Sequence, residues 1–157
     1  MPDGLYERDA LAWAEQQVDL LRRLATGERL NEVVDWPNVI EEVQDVGLSE
    51  LRACQSLMQQ AMAHLLKLSA WPDSRAAEHW RDEAEVFLDD AGRRFTPSMR
   101  QRIDLGDLYT AALRRVRLKK DDSGAQRPLP EVCPRALDDL FTPSADVGTL
   151  LVKLGGF

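Results

Sequence analysis

Residues 48–72 read "LSELRACQSLMQQAMAHLLKLSAWP" and carry the broadest apolar face of this 157-residue chain. Apolar side chains recur there at helical spacing, and a face this wide is typical of a helix that packs against more than one neighbour. We therefore predict a central helix over residues 48–69. It must end at Trp71-Pro72, because a residue that precedes proline is pushed out of the helical conformation. The members of the face are Leu51, Cys54, Leu57, Met58, Ala61, Met62, Leu65, Leu66 and Leu68.

Two further helices are predicted upstream, because the same period continues there. The first covers residues 7–26 and ends where Gly27 stands in the position of a C-terminal cap. The second begins at Asp35, a good N-cap, with Pro37 in the first turn, and Gly47 ends or bends it. The stripe that we expect it to bury is Trp36, Val39, Ile40, Val43 and Val46.

Downstream of the central helix, the pattern predicts two more long helices and one short one. Ser74 is expected to cap the fourth helix, and Thr96 followed by Pro97 is expected to open the fifth. The fifth ends in the basic run "RRVRLKK" (114–120), and the composition then becomes that of a loop. A short helix is expected within "PRALDDLF" (134–141).

These elements predict an all-α fold. The length of the chain favours one domain, large enough to bury roughly two-thirds of the surface of the unfolded chain. We expect residues 1–141 to form a bundle of four to five antiparallel helices with a short C-terminal helix, built around the helix 48–69. Residues 142–157 are weakly patterned, and we expect them to form a loosely attached, irregular tail.

The charge of the chain argues against nucleic acid as a partner. Its formal net charge is −7, and an acidic protein is repelled by phosphate backbones. The charge is also uneven, since residues 1–50 carry −8 and residues 96–120 carry +5. The basic stretch 114–120 can pack near an acidic helix of the same chain, or it can dock an acidic partner.

Other features of composition favour a cytoplasmic protein. Cys54 and Cys133 are far apart and match no disulfide framework, so a reducing compartment is the simpler interpretation. The first residues lack the basic and then apolar pattern of a secretory signal. No apolar run approaches the length of a membrane span, and no membrane association is predicted.

A metal site is not predicted either. Helical bundles that hold two metal ions use Glu-x-x-His motifs, but the residues three positions before His64 and His79 are Ala61 and Ala76. Two histidines are too few for most zinc sites. We expect no bound metal and no cofactor, and we expect His79 to be an exposed surface residue.

Nucleophilic catalysis has equally little support in the sequence. Cys54 lies on the apolar face and is expected to be buried and inert, and Cys133 has no histidine near it in sequence. The chain has no G-x-S-x-G, P-loop or G-x-G-x-x-G motif. No catalytic residue is therefore predicted, and a role other than catalysis is favoured.

Several stretches together resemble one family of small bacterial proteins, domain of unknown function 29. They are "YERDALAWAEQQVDLLR" (6–22), "DWPNVIEEVQDVG" (35–47), "HLLKL" (64–68), Trp80 after "SRAAEH", and "LPEVCP" (129–134). The resemblance implies an all-helical domain and carries no established activity. The family pattern features the positions held here by Trp13, Glu42, His64, Lys67 and Trp80.

Two functions stay open at this point. The favoured one is a non-enzymatic interaction or regulatory module with an unidentified protein partner or a second copy of the chain. The alternative is an enzyme or small-ligand binder with a polar pocket near Glu42, His64 and Trp80. Glu42 and His64 both lie at the border of an apolar face, and they would meet if their two predicted helices crossed steeply. The position of His64, either lining a pocket with Glu42 or packed shut, distinguishes the two functions.

Overall fold

The structure is a computed structural model that describes residues 4–141 together with 147, 148 and 150. That part of the chain is helical and contains no β-strand, which confirms the predicted all-α class. Its α-helices are α1 (Leu5–Arg8), α2 (Ala10–Ala25), α3 (Trp36–Ala70), α4 (Ala77–Arg94), α5 (Leu105–Arg117) and α6 (Leu137–Leu140). A short 3-10 helix, Pro97–Met99, precedes α5. No helix in these described ranges is long and apolar enough to cross a membrane.

The chain divides into two compact units, Met1–Ser49 and Glu50–Phe157. Unit 1 holds α1, α2 and the first part of α3, and unit 2 holds the rest of α3 with α4, α5 and α6. The sequence predicted one domain over residues 1–141, and that statement stays a prediction. Helical periodicity identifies each helix and its apolar face, but it does not say which faces share a core.

Unit 1 is built on a small core of Trp13, Leu20, Val34 and Val39. The single helix predicted over 7–26 is two helices here, because Asp9 leaves the helical conformation and its side chain accepts a hydrogen bond from the Ala12 N–H at 3.0 Å. An aspartate in this position is a strong N-cap. The predicted end at Gly27 is confirmed, since Gly27 has a φ of +96° directly after the last residues of α2.

The second and third predicted helices are one helix, α3, so the prediction that a helix ends at Gly47 is wrong. A glycine inside a helix costs about 1 kcal/mol relative to alanine, which is too little to end a helix that good helical sequence flanks on both sides. The predicted end before Trp71-Pro72 is confirmed, because α3 stops at Ala70.

Unit 2 has the larger core, and the C-terminal part of α3 supplies its centre. Leu65 and Leu66 are almost completely buried, and α5 contributes Tyr109 and Val116. Leu140 of α6 joins the same core, as do two residues from the predicted tail, Val147 and Leu150. The expectation of a loosely attached tail is therefore wrong at these two positions, because both side chains are buried.

Two predicted helix starts in unit 2 also need correction. Ser74 does not cap α4, because that helix begins at Ala77 with Ala76 as its N-cap. The Ser74 hydroxyl instead donates to Asp121 Oδ2 at 2.8 Å and accepts from the Ala76 N–H. Thr96 and Pro97 open only the 3-10 helix, and Asp104 caps α5 by accepting from the Asp107 N–H at 3.1 Å. The two helices therefore begin later than predicted, α4 at Ala77 and α5 at Leu105.

Candidate functional site

Unit 1 contains a buried polar network centred on Asp35. Its Oδ2 accepts hydrogen bonds from Trp13 Nε1 at 3.1 Å and from Asn38 Nδ2 at 2.7 Å. Its backbone N–H donates to Gln17 Oε1 at 2.9 Å. This network joins α2 to the start of α3. Sequence reasoning missed it, although Gln17 lies on the apolar face of α2, where a buried amide requires partners.

Glu42 has a partner within unit 1. The Tyr6 hydroxyl donates to Glu42 Oε1 at 2.8 Å, and this bond to a carboxylate is the main reason why the pKa of Tyr6 rises to about 12. The Tyr6 ring also meets Trp13 edge to face, with 4.9 Å between ring centroids. Glu42 thus holds the short helix α1 against α3, which is a structural role.

His64 is half-buried on the part of α3 that belongs to unit 2. Its Nδ1 lies 2.9 Å from the Gln60 carbonyl oxygen, and its ring centroid lies 5.4 Å from that of Phe87. Burial lowers the pKa of His64 below its usual value, and Lys67 lowers it further, while the bond to the Gln60 carbonyl and the charge of Glu83 act in the opposite direction. A neutral ring that donates from Nδ1 keeps Nε2 as an acceptor.

Trp80 and Lys67 form a contact beside His64. The Lys67 ammonium lies 5.7 Å from the centroid of the Trp80 ring, within the range of a cation–π interaction. The Trp80 ring also lies 6.3 Å from that of Trp71. Burial lowers the pKa of Lys67, as does the charge of Lys119. We refer to His64, Lys67, Trp80 and Glu83 as the α3–α4 cluster.

The structure gives the three predicted site residues different surroundings. His64 and Trp80 belong to the α3–α4 cluster in unit 2, whereas Glu42 bonds to Tyr6 in unit 1. The proposed Glu42–His64 contact required two helices that cross. That premise is wrong because both residues lie on the single helix α3. Nothing in this geometry assigns a ligand to any of the three, and their role as a site stays a prediction.

The α3–α4 cluster has limited chemical capacity. In the described ranges, no three His, Cys, Asp or Glu side chains are grouped so that they could hold a metal ion. Both cysteines are unpaired thiols, and burial raises the pKa of each, which disfavours the reactive thiolate. Cys54 is buried and His79 is exposed, as the sequence predicted.

A different feature of unit 1 is an apolar surface that its own core does not use. Of the five residues of α3 predicted to form a buried stripe, only Val39 is buried. Ile40, Val43 and Val46 are 63%, 70% and 68% exposed. We call the exposed side formed by Trp36, Ile40, Val43, Val46 and Gly47 the α3 face. The prediction that these residues are buried is wrong, because the core of unit 1 includes only Val39 from this stripe.

The chain belongs to the family described as domain of unknown function DUF29, whose family model matches residues 5–144. It is also similar to the crystal structure of an alpha-helical protein of unknown function from Rhodospirillum rubrum. That similarity has 27% sequence identity and a TM-score of 0.72, and it covers 95% of this chain and 96% of the other. No curated protein matches the chain significantly. The family resemblance and the helical fold are thus confirmed, and neither relative carries a stated activity.

Proposed function

We propose that this protein is a non-enzymatic interaction module and that the α3 face docks an amphipathic helix of a cationic partner protein. The observation that carries the proposal is the exposure of four large apolar side chains, Trp36, Ile40, Val43 and Val46, on one short stretch of a helix. A cluster of exposed apolar residues on one face is typical of a surface that binds another protein.

The α3 face has the properties of a helix-binding surface. Its residues recur at the i, i+3, i+4 and i+7 spacing through which helices pack together, as Trp36, Ile40, Val43 and Gly47 show. A Cβ added at Gly47 would meet nothing within 4 Å, so a partner can approach the backbone closely there. Valine and glycine are poor helix formers at exposed positions, and a partner that packs on them explains their presence.

Charge favours a cationic partner over a second copy of the chain. Residues 1–50 carry a net charge of −8, so two copies of this region repel one another. Glu41 is exposed on the same helix and lies beside the face rather than within it. An apolar centre with acidic surroundings matches an amphipathic helix that has lysine or arginine at its edges.

The alternative, an enzyme or small-ligand binder, draws its support from the half-buried α3–α4 cluster alone, because Glu42 has a structural partner in Tyr6. We also propose a cytoplasmic location. The supporting observation is that Cys54 and Cys133 are both unpaired, as expected in a reducing compartment.

The test is a calorimetric titration with two synthetic helical peptides that share a leucine stripe and differ only in having lysine or glutamate at its edges. We expect the lysine peptide to bind the full chain about tenfold more tightly than the glutamate peptide at low salt. The variant V43D should lose this binding, because it buries an unpaired carboxylate. The matched control V86D changes another exposed valine, in unit 2, and should bind like the unaltered chain.

Equal binding of the two peptides, or equal losses in V43D and V86D, would contradict the proposal. Light scattering supplies a second readout. If the purified protein is a dimer and V43D makes it monomeric, the α3 face binds a second copy of the chain, and the assignment to a cationic partner is wrong.

A further inference from the structure

We propose that a groove between α3 and α5 in unit 2 binds a small molecule that carries two negatively charged oxygen groups, such as phosphates or carboxylates. The groove has a volume of about 590 Å³, which is within the usual range of small-molecule sites. It is distinct from the α3 face and from the α3–α4 cluster. Its lining consists of Arg52, Gln55, Ser56, Gln59, Gln60, Leu108 and Arg115.

Among the described residues, the lining of the groove combines cationic and neutral polar side chains and has no anionic one. It contains two guanidinium groups, three carboxamides and a hydroxyl, but no carboxylate, in a chain that has 27 acidic residues against 20 basic ones. Arginine matches the geometry of phosphate and carboxylate oxygens, to which it can donate two parallel hydrogen bonds. Carboxamides both donate and accept, so they suit the neutral polar part of such a ligand.

The two arginines of the groove are not engaged by any carboxylate that the structure describes. Within the described residues, seven arginines form ion pairs with carboxylates, whereas Arg52 and Arg115 form none. The paired ones are Arg23, Arg93, Arg94, Arg100, Arg117, Arg127 and Arg135. One paired example, Arg117, lies two residues from Arg115 on α5 and bonds to Glu131. Both guanidinium groups of the groove therefore keep their donors for a ligand.

Two lysines place positive charge beyond the groove, near the C-terminal ends of α3 and α5. On α3, Lys67 follows Gln60 by about two turns, and Lys119 lies just after the end of α5 at Arg117. The two lysines are close enough for the charge of Lys119 to lower the pKa of Lys67. A positive potential of this kind attracts anions to the groove.

The size of the ligand follows from the charge of the whole chain. A net charge of −7 opposes long polyanions such as nucleic acids, whereas a small anion meets only the local positive potential. Two arginines that come from different helices, with three amides of α3 in the same lining, fit a ligand with two charged ends. We therefore expect a small bidentate anion rather than a polymer.

The experiment is a calorimetric titration of the full chain with pyrophosphate and, separately, with succinate at fixed ionic strength. We expect one saturable site. R52Q and R115Q should each weaken binding about tenfold, the usual loss for one hydrogen bond to a charged group. The control R114Q removes the same charge from a neighbouring exposed position of α5 that does not line the groove, and it should leave the affinity within about twofold. Circular dichroism of each variant checks that the helices are intact.

The two probes identify the charged group, because tighter binding of pyrophosphate assigns a phosphate ligand and tighter binding of succinate assigns a carboxylate ligand. Failure of both probes to saturate would overturn the proposal. A loss in R114Q as large as in R52Q would also overturn it, since binding would then reflect general charge. Single-stranded RNA that bound through Arg52 and Arg115 more tightly than either probe would overturn the assignment to a small molecule.

Discussion

The two parts of α3 carry similar apolar patterns and meet opposite surroundings. Before Glu50, in unit 1, Ile40 and Val43 are mostly exposed. After it, in unit 2, Met58 and Leu65 are buried almost completely by residues that include α4 and α5 side chains. Helical period shows which residues share a face, but the number of elements that pack against that face decides whether it is buried.

The two units also differ in how polar groups join their helices. In unit 1, the buried Asp35 accepts hydrogen bonds from Trp13 of α2 and Asn38 of α3. These bonds join the two helices beside an apolar core that is small. In unit 2, the corresponding region of α3 is held mainly by apolar packing. A small unit buries less apolar surface, and specific polar contacts then account for more of its stability.

The largest expected effect tests the buried part of α3. Leu65→Ala should reduce the free energy of unfolding by about 2–5 kcal/mol, because it leaves a cavity among packed side chains. Ile40→Ala, on the exposed part of the same helix, should cost less than about 0.5 kcal/mol. Denaturant unfolding followed by circular dichroism measures both. Similar losses in the two variants would mean that the α3 face is covered in solution.

The second prediction tests the polar network of unit 1. Trp13→Phe removes the N–H that donates to Asp35, whose side chain is buried and whose Oδ1 has no hydrogen-bond partner in the described part of the chain. We expect a loss of about 1–3 kcal/mol in the free energy of unfolding.

Trp36→Phe is the matched control for this prediction. The Trp36 indole also donates a hydrogen bond, to the Asn31 carbonyl at 2.9 Å, but water can replace it there because the residue is exposed. The loss should be below about 0.5 kcal/mol. Equal losses at the two tryptophans would contradict a special role for the Asp35 network.

Local signals in the sequence predicted much of this fold, and long-range contacts account for the errors. The end of α2 at Gly27 and the end of α3 before Trp71-Pro72 follow from backbone preferences of single residues. By contrast, the partner of Glu42 is Tyr6, 36 positions earlier in the chain. No spacing rule indicates such a pair, since it depends on how α1 packs.

The groove between α3 and α5 was missed for the same reason. Within its own helix, neither Arg52 nor Arg115 differs from other charged residues. Only the packing of α3 and α5 in unit 2 places both side chains in the lining of the same groove. The basic run that contains Arg115 is evident in the sequence, but no spacing rule connects it with the residues of α3 that line the groove. A search for helix faces that hold amides and arginine without acids would have found Arg52, Gln55 and Gln59.

A smaller effect is expected at Gly47, within the α3 face. Gly47→Ala should stabilise the chain by about 0.5–1 kcal/mol, because alanine loses less conformational freedom in a helix and its Cβ would meet nothing within 4 Å. Gly124→Ala is the contrasting change, since Gly124 has a φ of +131° that side chains rarely adopt. It should destabilise. Thermal unfolding of both variants tests this, and a destabilising Gly47→Ala would show that something already packs on the α3 face.

The smallest expected effect is a shift in the titration of His64, measured by NMR. The pKa of His64 should lie below its usual value, chiefly because of burial. The unfolded chain then binds the proton more readily than the folded one. The contribution to stability is thus present above about pH 6.5 and is lost as the pH falls through the pKa of the folded state. Stability should therefore rise with pH across this window.

Three variants separate the causes of that pKa. Lys67→Gln should raise the pKa of His64, because it removes a nearby like charge, and Glu83→Gln should lower it further by removing an opposite one. Glu42→Gln should leave it unchanged, since the Glu42 carboxylate bonds to Tyr6 and Glu42 is not among the groups that shift His64. A lower pKa of His64 in Glu42→Gln would contradict this expectation, because it would show that the Glu42 carboxylate acts on His64. An unchanged value, together with the shifts from Lys67 and Glu83, would assign His64 to the α3–α4 cluster alone.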